Sequence, residues 1–246
     1  MGLFTKKTPH TAGEVDRSRL PRHIAVIMDG NGRWAKKHFR PRGYGHKMGV
    51  QNMIKLCSHA FKLGVKIVTV YALSTENLSR PQEELDGIYD LFRSYFQKQK
   101  GKIQELGVRV NVMGDLTPLP EDVRGLLLET MRDTAVNAPN GLLNLCINYG
   151  ARQEIIQAVN HAVAFGRFVD ENSFKSLLYT AGMPDPDLII RTGGEVRLSN
   201  FLLYQAAYTE LYFSNKMWPE FSRRDLEKAL VNYSQRDRRF GNVKKG

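Results

Sequence analysis

The chain has 246 residues, 42% of them hydrophobic and 25% charged, a composition typical of a packed globular protein. No apolar run approaches the roughly 18 residues of a membrane-spanning helix, and two cysteines are too few for a disulfide framework or a cysteine metal site. The net charge is +11, and such a positive field attracts nucleic acid, anionic lipid or phosphorylated small molecules.

The N-terminal region carries much of this charge. Residues 1–47 hold eleven Lys or Arg against three acidic residues. Residues 1–22 are polar, contain two prolines and lack the apolar core of a secretory signal. We therefore expect a flexible basic tail over residues 1–22 and a cytoplasmic location for the protein.

Short apolar runs alternate with amphipathic segments along the chain. The pattern predicts strands over 24–29, 65–73, 108–113, 142–149, 187–191 and 209–213, and helices over 48–63, 82–106, 121–136, 153–165 and 173–179. Strands that alternate with helices pair in parallel and are covered by helices on both faces. The sequence therefore predicts an α/β fold, with residues 23–246 forming a single domain around a central, mostly parallel sheet of about six strands flanked by helices.

Polar residues follow most of the predicted strands, at the sheet edge where open α/β folds bind their ligands. Glycines let the backbone approach phosphate oxygens, and arginines add bidentate hydrogen bonds, so this mixture favours a diphosphate ligand. Asp29 and Glu210 are oxygen ligands of the kind that Mg²⁺ uses together with substrate phosphates. The other candidates are Gly30, Asn31, Gly32, Arg33, Trp34, Arg42, Gly45, His46, Ser74, Glu76, Asn77, Arg80, Asn148, Arg191, Gly193, Gly194, Arg197, Ser199 and Asn200.

Each candidate also has a purely structural explanation. The Asp-Gly-Asn-Gly stretch from Asp29 is equally an ordinary turn. A histidine such as His46 is more often a capping or core residue than a catalyst, and Trp34 is most simply a packing residue. The competing nucleotide and hydrolase motifs, a P-loop, a nucleophile elbow and a complete Rossmann fingerprint, are absent. What favours a functional interpretation is that phosphate-type residues end several strands at once.

Eight longer blocks follow one another along the chain: HIAVIMDGNGRWA at 23–35, GHKMG at 45–49, YALSTEN at 71–77, NYGAR at 148–152, DLIIRTGGE at 187–195, RLSNFLL at 197–203, ELYF at 210–213 and RRFG at 238–241. In this order they resemble the cis-prenyltransferase family, whose best-known members are the undecaprenyl diphosphate synthases. The resemblance spans nearly the whole chain. Two departures are Leu78, where many members have Trp, and Ala151, where many have Gly.

The resemblance implies a transferase that condenses isopentenyl diphosphate onto an allylic diphosphate such as farnesyl diphosphate. The new double bond is cis, and the product is a polyprenyl diphosphate precursor of a lipid carrier. The resemblance further implies Mg²⁺ as cofactor, a homodimer whose segment 239–241 reaches the partner's active site, and transient contact with a membrane surface for product release. The alternatives are a non-catalytic partner subunit of a heteromeric prenyltransferase and a nucleic-acid-binding protein, but no nucleic-acid motif occurs, so no nucleic-acid partner is expected.

The resemblance also implies roles for particular residues. Asp29, His46 and Asn77 are assigned to catalysis, and Asp29 and Glu210 to Mg²⁺. The residues assigned to substrate binding are Gly30, Asn31, Gly32, Arg33, Trp34, Arg42, His46, Ser74, Glu76, Arg80, Arg191, Arg197 and Ser199. Asn77 is no strong base, so the proton acceptor is a substrate phosphate, a water or His46.

A last implication is an apolar tunnel for the growing hydrocarbon, between the sheet and the helices predicted over 82–98 and 121–136. Its candidate lining residues are Leu85, Ile88, Leu91 and Leu143, each of which is also explained as plain core. Leu143 is the expected floor, because it begins the strand predicted over 142–149, far from the catalytic end.

Overall fold

The structure, a computed structural model, describes residues 15–98, 101, 105, 107–136 and 140–236. These residues form six strands: β1 His23–Ile27, β2 Ile67–Ser74, β3 Val108–Met113, β4 Gly141–Tyr149, β5 Leu188–Arg191 and β6 Glu210–Phe213. They also form seven α-helices: α1 Asn31–Lys37, α2 Arg42–Leu63, α3 Gln82–Lys98, α4 Glu121–Asp133, α5 Ala151–Ala164, α6 Glu171–Lys175 and α7 Arg223–Ser234. Short 3₁₀ turns lie at Arg17–Arg19, Thr75–Ser79 and Trp218–Glu220.

All neighbouring strands pair in parallel, in the order β3-β4-β2-β1-β5-β6. The predicted single α/β domain with a parallel sheet is therefore confirmed. β1 lies in the interior of the sheet, and all of its residues are buried, which explains why it reads as a continuous apolar run. The carboxyl ends of β2, β1 and β5 stand side by side, so the segments that follow them are brought together.

Two hydrophobic clusters cover the two faces of the sheet. On one face, side chains of β1 and β2 such as Val26 and Val70 pack against α2, α3, α4 and α7. On the other face, Ala25 and Ile27 pack against the start of α5 and against Phe201. Leu20 packs against the first cluster, so the chain already contacts the core before β1 begins; residues 1–14 of the expected tail lie outside the described residues.

The start of α2 differs from the prediction. The helix begins at Arg42 rather than at 48, and so it includes Gly45 and Gly49. Glycines lower helix propensity, which is why the sequence pattern placed the start after them. The structure shows why they are needed: an added Cβ would lie 2.2 Å from the backbone oxygen of Asn31 at Gly45, and 2.4 Å from the Asn31 side-chain oxygen at Gly49. The glycines thus let α1 and α2 pack closely and bring Arg42 and His46 to the end of β1.

The other boundaries shift by smaller steps. The helix predicted over 173–179 is α6, which begins at Glu171 because Asp170 and Ser173 form a reciprocal capping box. The helix predicted over 82–106 is described as α3, which runs to Lys98, and much of the remainder lies outside the described residues. No helix in the described part of the chain combines the length and the apolarity needed to cross a bilayer.

Candidate active site

A cavity of about 1020 Å³ opens at the carboxyl ends of β1, β2 and β5 and continues into the first face of the sheet. Most of the sequence-predicted site residues line it: Asp29, Gly30, Asn31, Gly32, Arg33, Arg42, His46, Ser74, Glu76, Asn77, Arg80, Arg191 and Ser199. Trp34, Arg197 and Glu210 are not among its lining residues. The cavity therefore brings together the polar ends of three strands that are far apart in the sequence.

Asp29 lies directly after β1 and is held from two sides. Its carboxylate accepts a hydrogen bond from Arg33 Nη2 at 3.1 Å and one from Arg191 Nη2 at 3.0 Å. Its backbone oxygen accepts from the Thr192 hydroxyl at 2.8 Å and from the Trp218 N–H at 2.9 Å. The carboxylate is 28% exposed, so it is fixed in position and still accessible from the cavity.

Arg191 ends β5 and is buried, with 4% of its side chain exposed. Besides Asp29, its guanidinium donates to the Ser199 hydroxyl at 2.8 Å and to the backbone oxygen of Arg197 at 2.5 Å. Its Nε has no hydrogen-bond partner among the described residues. A buried donor without a partner is costly; the contacts of this guanidinium are made by Nη1 and Nη2.

Glu195 was missed as a site residue. It accepts from Arg197 Nη1 at 2.5 Å and lies 3.7 Å from Arg33 Nη1. Both arginines are about half exposed, and exposed ion pairs contribute little to stability, so both guanidinium groups are accessible from solvent. Gly193 has a φ of +84°, and an added Cβ there would lie 2.6 Å from Arg33 Nη2 and 3.1 Å from the backbone oxygen of Asp29, so glycine suits this position.

A second cationic group surrounds Glu84 at the start of α3. The Glu84 carboxylate lies 3.0 Å from Arg42 Nε, 2.9 Å from Arg80 Nη1 and 3.3 Å from His46 Nε2. Burial, followed by the positive charge of Arg80, lowers the pKa of His46, whereas Glu84 opposes the shift. Glu84 was also missed by the sequence analysis, although its spacing of four residues from Arg80 is the i,i+4 signal of a helical ion pair.

The turn Thr75–Ser79 carries the candidates that follow β2. Ser74 and Asn77 form a reciprocal capping box, in which the Asn77 side-chain oxygen accepts from the Ser74 N–H at 3.4 Å. Glu76 Oε1 accepts from the Asn200 side chain at 3.0 Å. Leu78 packs against the hydrophobic core. The turn is therefore tied both to its own strand and to the segment that follows β5.

Two candidates lie elsewhere. Glu210 begins β6, opposite Leu188 in the register, so it lies at the amino end of the sheet while Asp29 follows the carboxyl end of β1; its carboxylate forms an ion pair with Arg236. Trp34 packs beside Tyr44, with ring centroids 6.2 Å apart. Within the described residues no three potential metal-ligating side chains form a cluster. Asp29 has the position and exposure of a Mg²⁺ ligand that would share the ion with substrate phosphates.

The inner part of the cavity is apolar. Its walls come from α2 (Met53, Ile54, Cys57, Phe61), α3 (Ile88, Leu91, Phe92, Tyr95, Phe96), β3 (Val108, Val110) and β4 (Leu143, Leu145, Ile147). Ile88, Leu91 and Leu143 were expected here, whereas Leu85 belongs to the core and does not line the cavity. The prediction that the helix over 121–136 forms a wall is wrong, and the helical wall beside α3 comes from α2. No residue of α4 is among the lining residues.

The chain was compared with known proteins. A family model described as "Putative undecaprenyl diphosphate synthase" matches residues 27–241. An isoprenyl transferase of Clostridium perfringens is 43% identical, the match covering 99% of this chain and all of the relative. A tritrans,polycis-undecaprenyl-diphosphate synthase (geranylgeranyl-diphosphate specific) of Pyrococcus horikoshii is 44% identical over 91% of this chain and 87% of the relative.

Solved structures agree with these matches. Lavandulyl diphosphate synthase from Lavandula x intermedia, solved in complex with dimethylallyl diphosphate, superposes with a TM-score of 0.86 and 33% identity. The superposition covers 91% of this chain and 99% of that one. The resemblance drawn from the sequence blocks is thereby confirmed. With a family model over most of its length, close relatives along its whole length and the same fold, this chain belongs to the undecaprenyl diphosphate synthase family of prenyltransferases.

Proposed function

We propose that this chain elongates an allylic isoprenyl diphosphate, such as farnesyl diphosphate, with isopentenyl diphosphate to give a polyprenyl diphosphate with cis double bonds. The observation that carries the proposal is the two-part cavity, whose mouth holds Asp29, Arg33 and Arg191 and whose interior is apolar. A diphosphate ester of a long hydrocarbon needs both parts in one continuous space. Incubation with labelled isopentenyl diphosphate, Mg²⁺ and several allylic starters, followed by sizing of the products, tests the proposal; absence of chain extension with every starter contradicts it.

Different residues at the mouth of the cavity bind the two substrates of the proposed reaction. Arg33 and Arg42 bind the allylic diphosphate, and Arg191, Arg197 and Ser199 bind the diphosphate of isopentenyl diphosphate. The arrangement aligns the double bond of isopentenyl diphosphate with the allylic carbon, and such alignment supplies a large part of the rate. Fixed guanidinium groups stabilise the charge that grows on the diphosphate as its bond to carbon breaks.

Mg²⁺ is the proposed cofactor, held through Asp29. When bound, it supplies Lewis-acid stabilisation of the diphosphate leaving group. Asp29 is suited to this role because Arg33 and Arg191 already orient both of its oxygens. Glu210 lies at the other end of the sheet, so it takes part in such a site only if it comes from a second chain.

The reaction ends with loss of a proton from the isopentenyl unit. Because burial and Arg80 lower the pKa of His46, its imidazole is neutral near pH 7 and is able to accept this proton. A substrate phosphate and a water are the other acceptors. Asn77, whose side-chain oxygen caps the turn after β2, contributes position and hydrogen bonding rather than basicity.

A homodimer in the cytoplasm is the proposed state of the protein. Its support is a row of apolar side chains on α5, in which Ile156, Val159 and Val163 are 59%, 41% and 71% exposed, followed by Phe165 at 63%. Exposed apolar faces of this extent mark contact surfaces, and a second copy of the chain is the proposed occupant. No observation favours the alternative of a non-catalytic partner subunit, since the charged residues expected of an active site are present and connected.

The turn between α1 and α2 supports the proposal that the protein contacts a membrane surface transiently to release its product. Phe39 is 96% exposed and stands next to Lys36, Lys37 and Arg40, two of which also line the cavity mouth. An exposed aromatic ring among cations suits the interface of an anionic bilayer. Phe39→Ser should therefore reduce co-sedimentation with phosphatidylglycerol vesicles several-fold. The equally exposed Phe168 lies beside Asp170 and Glu171, and Phe168→Ser is the matched control; equal losses for both variants contradict the assignment.

A further inference from the structure

Asn200 joins three elements at the mouth of the cavity. It lies in the turn after Ser199, and both residues have positive φ, 49° for Ser199 and 63° for Asn200. Its backbone oxygen accepts from the Ala151 N–H at 2.8 Å, and its side-chain oxygen accepts from the Arg152 N–H at 2.9 Å. Asn200 thus satisfies the first two N–H groups of α5.

This contact replaces a local helix cap. The residue before α5 is Gly150, which has no side chain to cap the helix. An added Cβ at Gly150 would lie 2.6 Å from Asn200 Nδ2 and 2.7 Å from Thr75 Oγ1. Glycine is therefore required for the three segments to meet, and the cap comes from Asn200, fifty positions further along the chain.

The orientation of the Asn200 amide follows from this cap. A backbone N–H can only donate, so the atom that faces Arg152 is the oxygen. The side-chain nitrogen then faces two acceptors, Glu76 Oε1 at 3.0 Å and Gln153 Oε1 at 3.2 Å. The bond to Glu76 connects the turn after β2 with the turn after β5, although β1 separates these two strands in the sheet.

The connection extends a chain of contacts that ends at Asp29. From Glu76 it passes to Asn200 and the adjacent Ser199, and Ser199 accepts from Arg191, which in turn donates to Asp29. Ser199 and Arg197, assigned to isopentenyl diphosphate, lie on the β5 side of the Asn200–Glu76 bond. The turn with Asn77, assigned to the reacting groups, lies on its β2 side. Under the proposed function, the separation of these two segments helps to set the distance between the two substrates.

We infer that Asn200 is a positioning residue, which holds the isopentenyl diphosphate loop at a fixed separation from the Thr75–Ser79 turn through its bond to Glu76. The inference rests on the proposed function. Asn200 lines the cavity, and the proposed role is exerted through its contacts with Ser199 and Glu76 rather than on the reacting atoms. A small displacement between two reactants is costly in rate, so loss of the bond should lower turnover without removing either diphosphate site.

The substitution Asn200→Asp keeps the cap of α5 and removes the hydrogen bond to Glu76. Aspartate tolerates positive φ, keeps an acceptor for the Arg152 N–H and places a negative charge favourably at the start of α5. The same substitution replaces the donor to Glu76 by a second carboxylate oxygen, which repels it. We expect a roughly tenfold fall in kcat/KM for isopentenyl diphosphate, with the KM of the allylic starter and the melting temperature close to those of the wild type.

A compensating double variant distinguishes a positioning role of Asn200 from a general disturbance of the structure. The double variant Asn200→Asp/Glu76→Gln exchanges donor and acceptor. Asn200→Asp should therefore reduce activity much less in the Glu76→Gln background than in the wild type. Gln153→Ala, which removes the other acceptor on α5, is the matched control and should leave kcat/KM near the wild-type value. If the fold change in kcat/KM of the double variant equals the product of the fold changes of the two single variants, the inference is overturned.

The proposed function is tested separately by wild-type turnover. The wild type, Asn200→Asp, Glu76→Gln and the double variant are also compared by calorimetry, which gives the dissociation constant of each protein for inorganic diphosphate. If the change in dissociation constant of the double variant differs from the product of the changes of the two single variants, the Asn200–Glu76 connection is supported even if the wild type extends no starter. If the changes multiply both in binding and in kcat/KM, the connection is overturned even if the wild type is active.

Discussion

At the scale of single residues, the site depends on one carboxylate between two guanidinium groups. Asp29 contacts Arg33 at 3.1 Å and Arg191 at 3.0 Å, and two further hydrogen bonds hold its backbone oxygen. Such a residue has little freedom to reorient, which suits a group that acts on a transition state. Arg191 is the more buried of the two partners, with 4% of its side chain exposed against 47% for Arg33.

Asp29→Ala should lower kcat by at least about 100-fold, because the variant loses the proposed metal-linked carboxylate that acts mainly in the transition state. Circular dichroism should show an unchanged fold. Steady-state kinetics at saturating Mg²⁺ is the measurement, and the exposed Asp86→Ala on α3 is the control. Wild-type turnover of Asp29→Ala would remove this residue from the catalytic assignment.

At the scale of elements, α2 has two tasks. Its first turn brings Arg42 and His46 to the cavity mouth, and its later turns place Met53 and Phe61 along the apolar interior. The opposite wall is β4, whose residues Leu143, Leu145 and Ile147 share one face of the sheet because side chains alternate along a strand. The growing hydrocarbon would thus run along β4, from its carboxyl end toward its start.

Leu143→Ala should shift the products to longer chains. Leu143 lines the cavity near the start of β4, and each additional buried CH₂ is worth about 0.8 kcal/mol, so longer intermediates would be retained. Sizing of labelled products is the measurement. Leu85→Ala is the matched control, since Leu85 is buried but does not line the cavity; it should cost about 2–5 kcal/mol in the free energy of unfolding without changing product length. The same result for Leu143→Ala would mean that the floor lies elsewhere.

A second element-scale feature is a polar chain that crosses the sheet on its other face. Asn111 donates to Asn144, which donates to Thr69. Thr69 lies 2.7 Å from His23 Nε2, and His23 Nδ1 lies 2.8 Å from the backbone oxygen of Pro184. A carbonyl can only accept, so Nδ1 carries the proton and Nε2 accepts from Thr69. The neutral imidazole therefore completes the chain.

The stability of the protein should fall below about pH 6.5. Burial lowers the pKa of His23, against the opposing effects of its bond to Pro184 and of Asp187 and Asp185, and burial likewise lowers the pKa of His46. Below the ordinary value of 6.5, the unfolded chain binds protons that the folded chain does not, so the free energy of unfolding falls as the pH drops through the folded pKa values.

Urea unfolding at a series of pH values from 7.5 to 5.5 measures this slope. His23→Gln should lower the free energy of unfolding at every pH, because it disturbs the polar chain, but should flatten its dependence on pH. An unchanged slope in His23→Gln would show that the loss of stability comes from other groups.

At the scale of the whole molecule, the position of Glu210 suggests that one chain does not hold every assigned group. Glu210 and Asp29 lie toward opposite ends of the sheet, and Glu210 is engaged by Arg236. The apolar row on α5 offers a surface for a second copy. The segment 239–241, expected from the family resemblance to reach the partner's site, lies outside the described residues.

Truncation after Asn232 should abolish most activity, because it removes the segment 239–241 and also releases Glu210 from Arg236. Light scattering coupled to size exclusion measures the oligomeric state, and steady-state kinetics measures turnover. Arg236→Ala in the full-length chain separates the two effects, since it removes the ion pair with Glu210 and the hydrogen bonds to Leu211 and Asn232 but keeps the segment 239–241. A fully active monomer at assay concentration is the outcome that contradicts the proposed homodimer.

The sequence by itself determined the class of fold and the chemistry of the site. Alternating apolar and amphipathic segments are enough to predict a parallel α/β sheet, because each strand must be covered on both faces. The polar residues after β1, β2 and β5 then converge by topology alone. Asp29, Arg191 and Ser199 were found in this way, their residue types indicated a diphosphate, and the family resemblance implied that the diphosphates are those of isoprenoids.

Only the tertiary structure decided which residues contact each other. The start of α2 at Arg42 depends on the contact of two glycines with Asn31, and the cap of α5 depends on Asn200, and neither contact leaves a local signal in the chain. The same holds for the cavity walls, where α2 rather than α4 faces α3 across the apolar space. Local patterns specify which face of an element is apolar, whereas the choice of partner for that face depends on how all the elements fill the same volume.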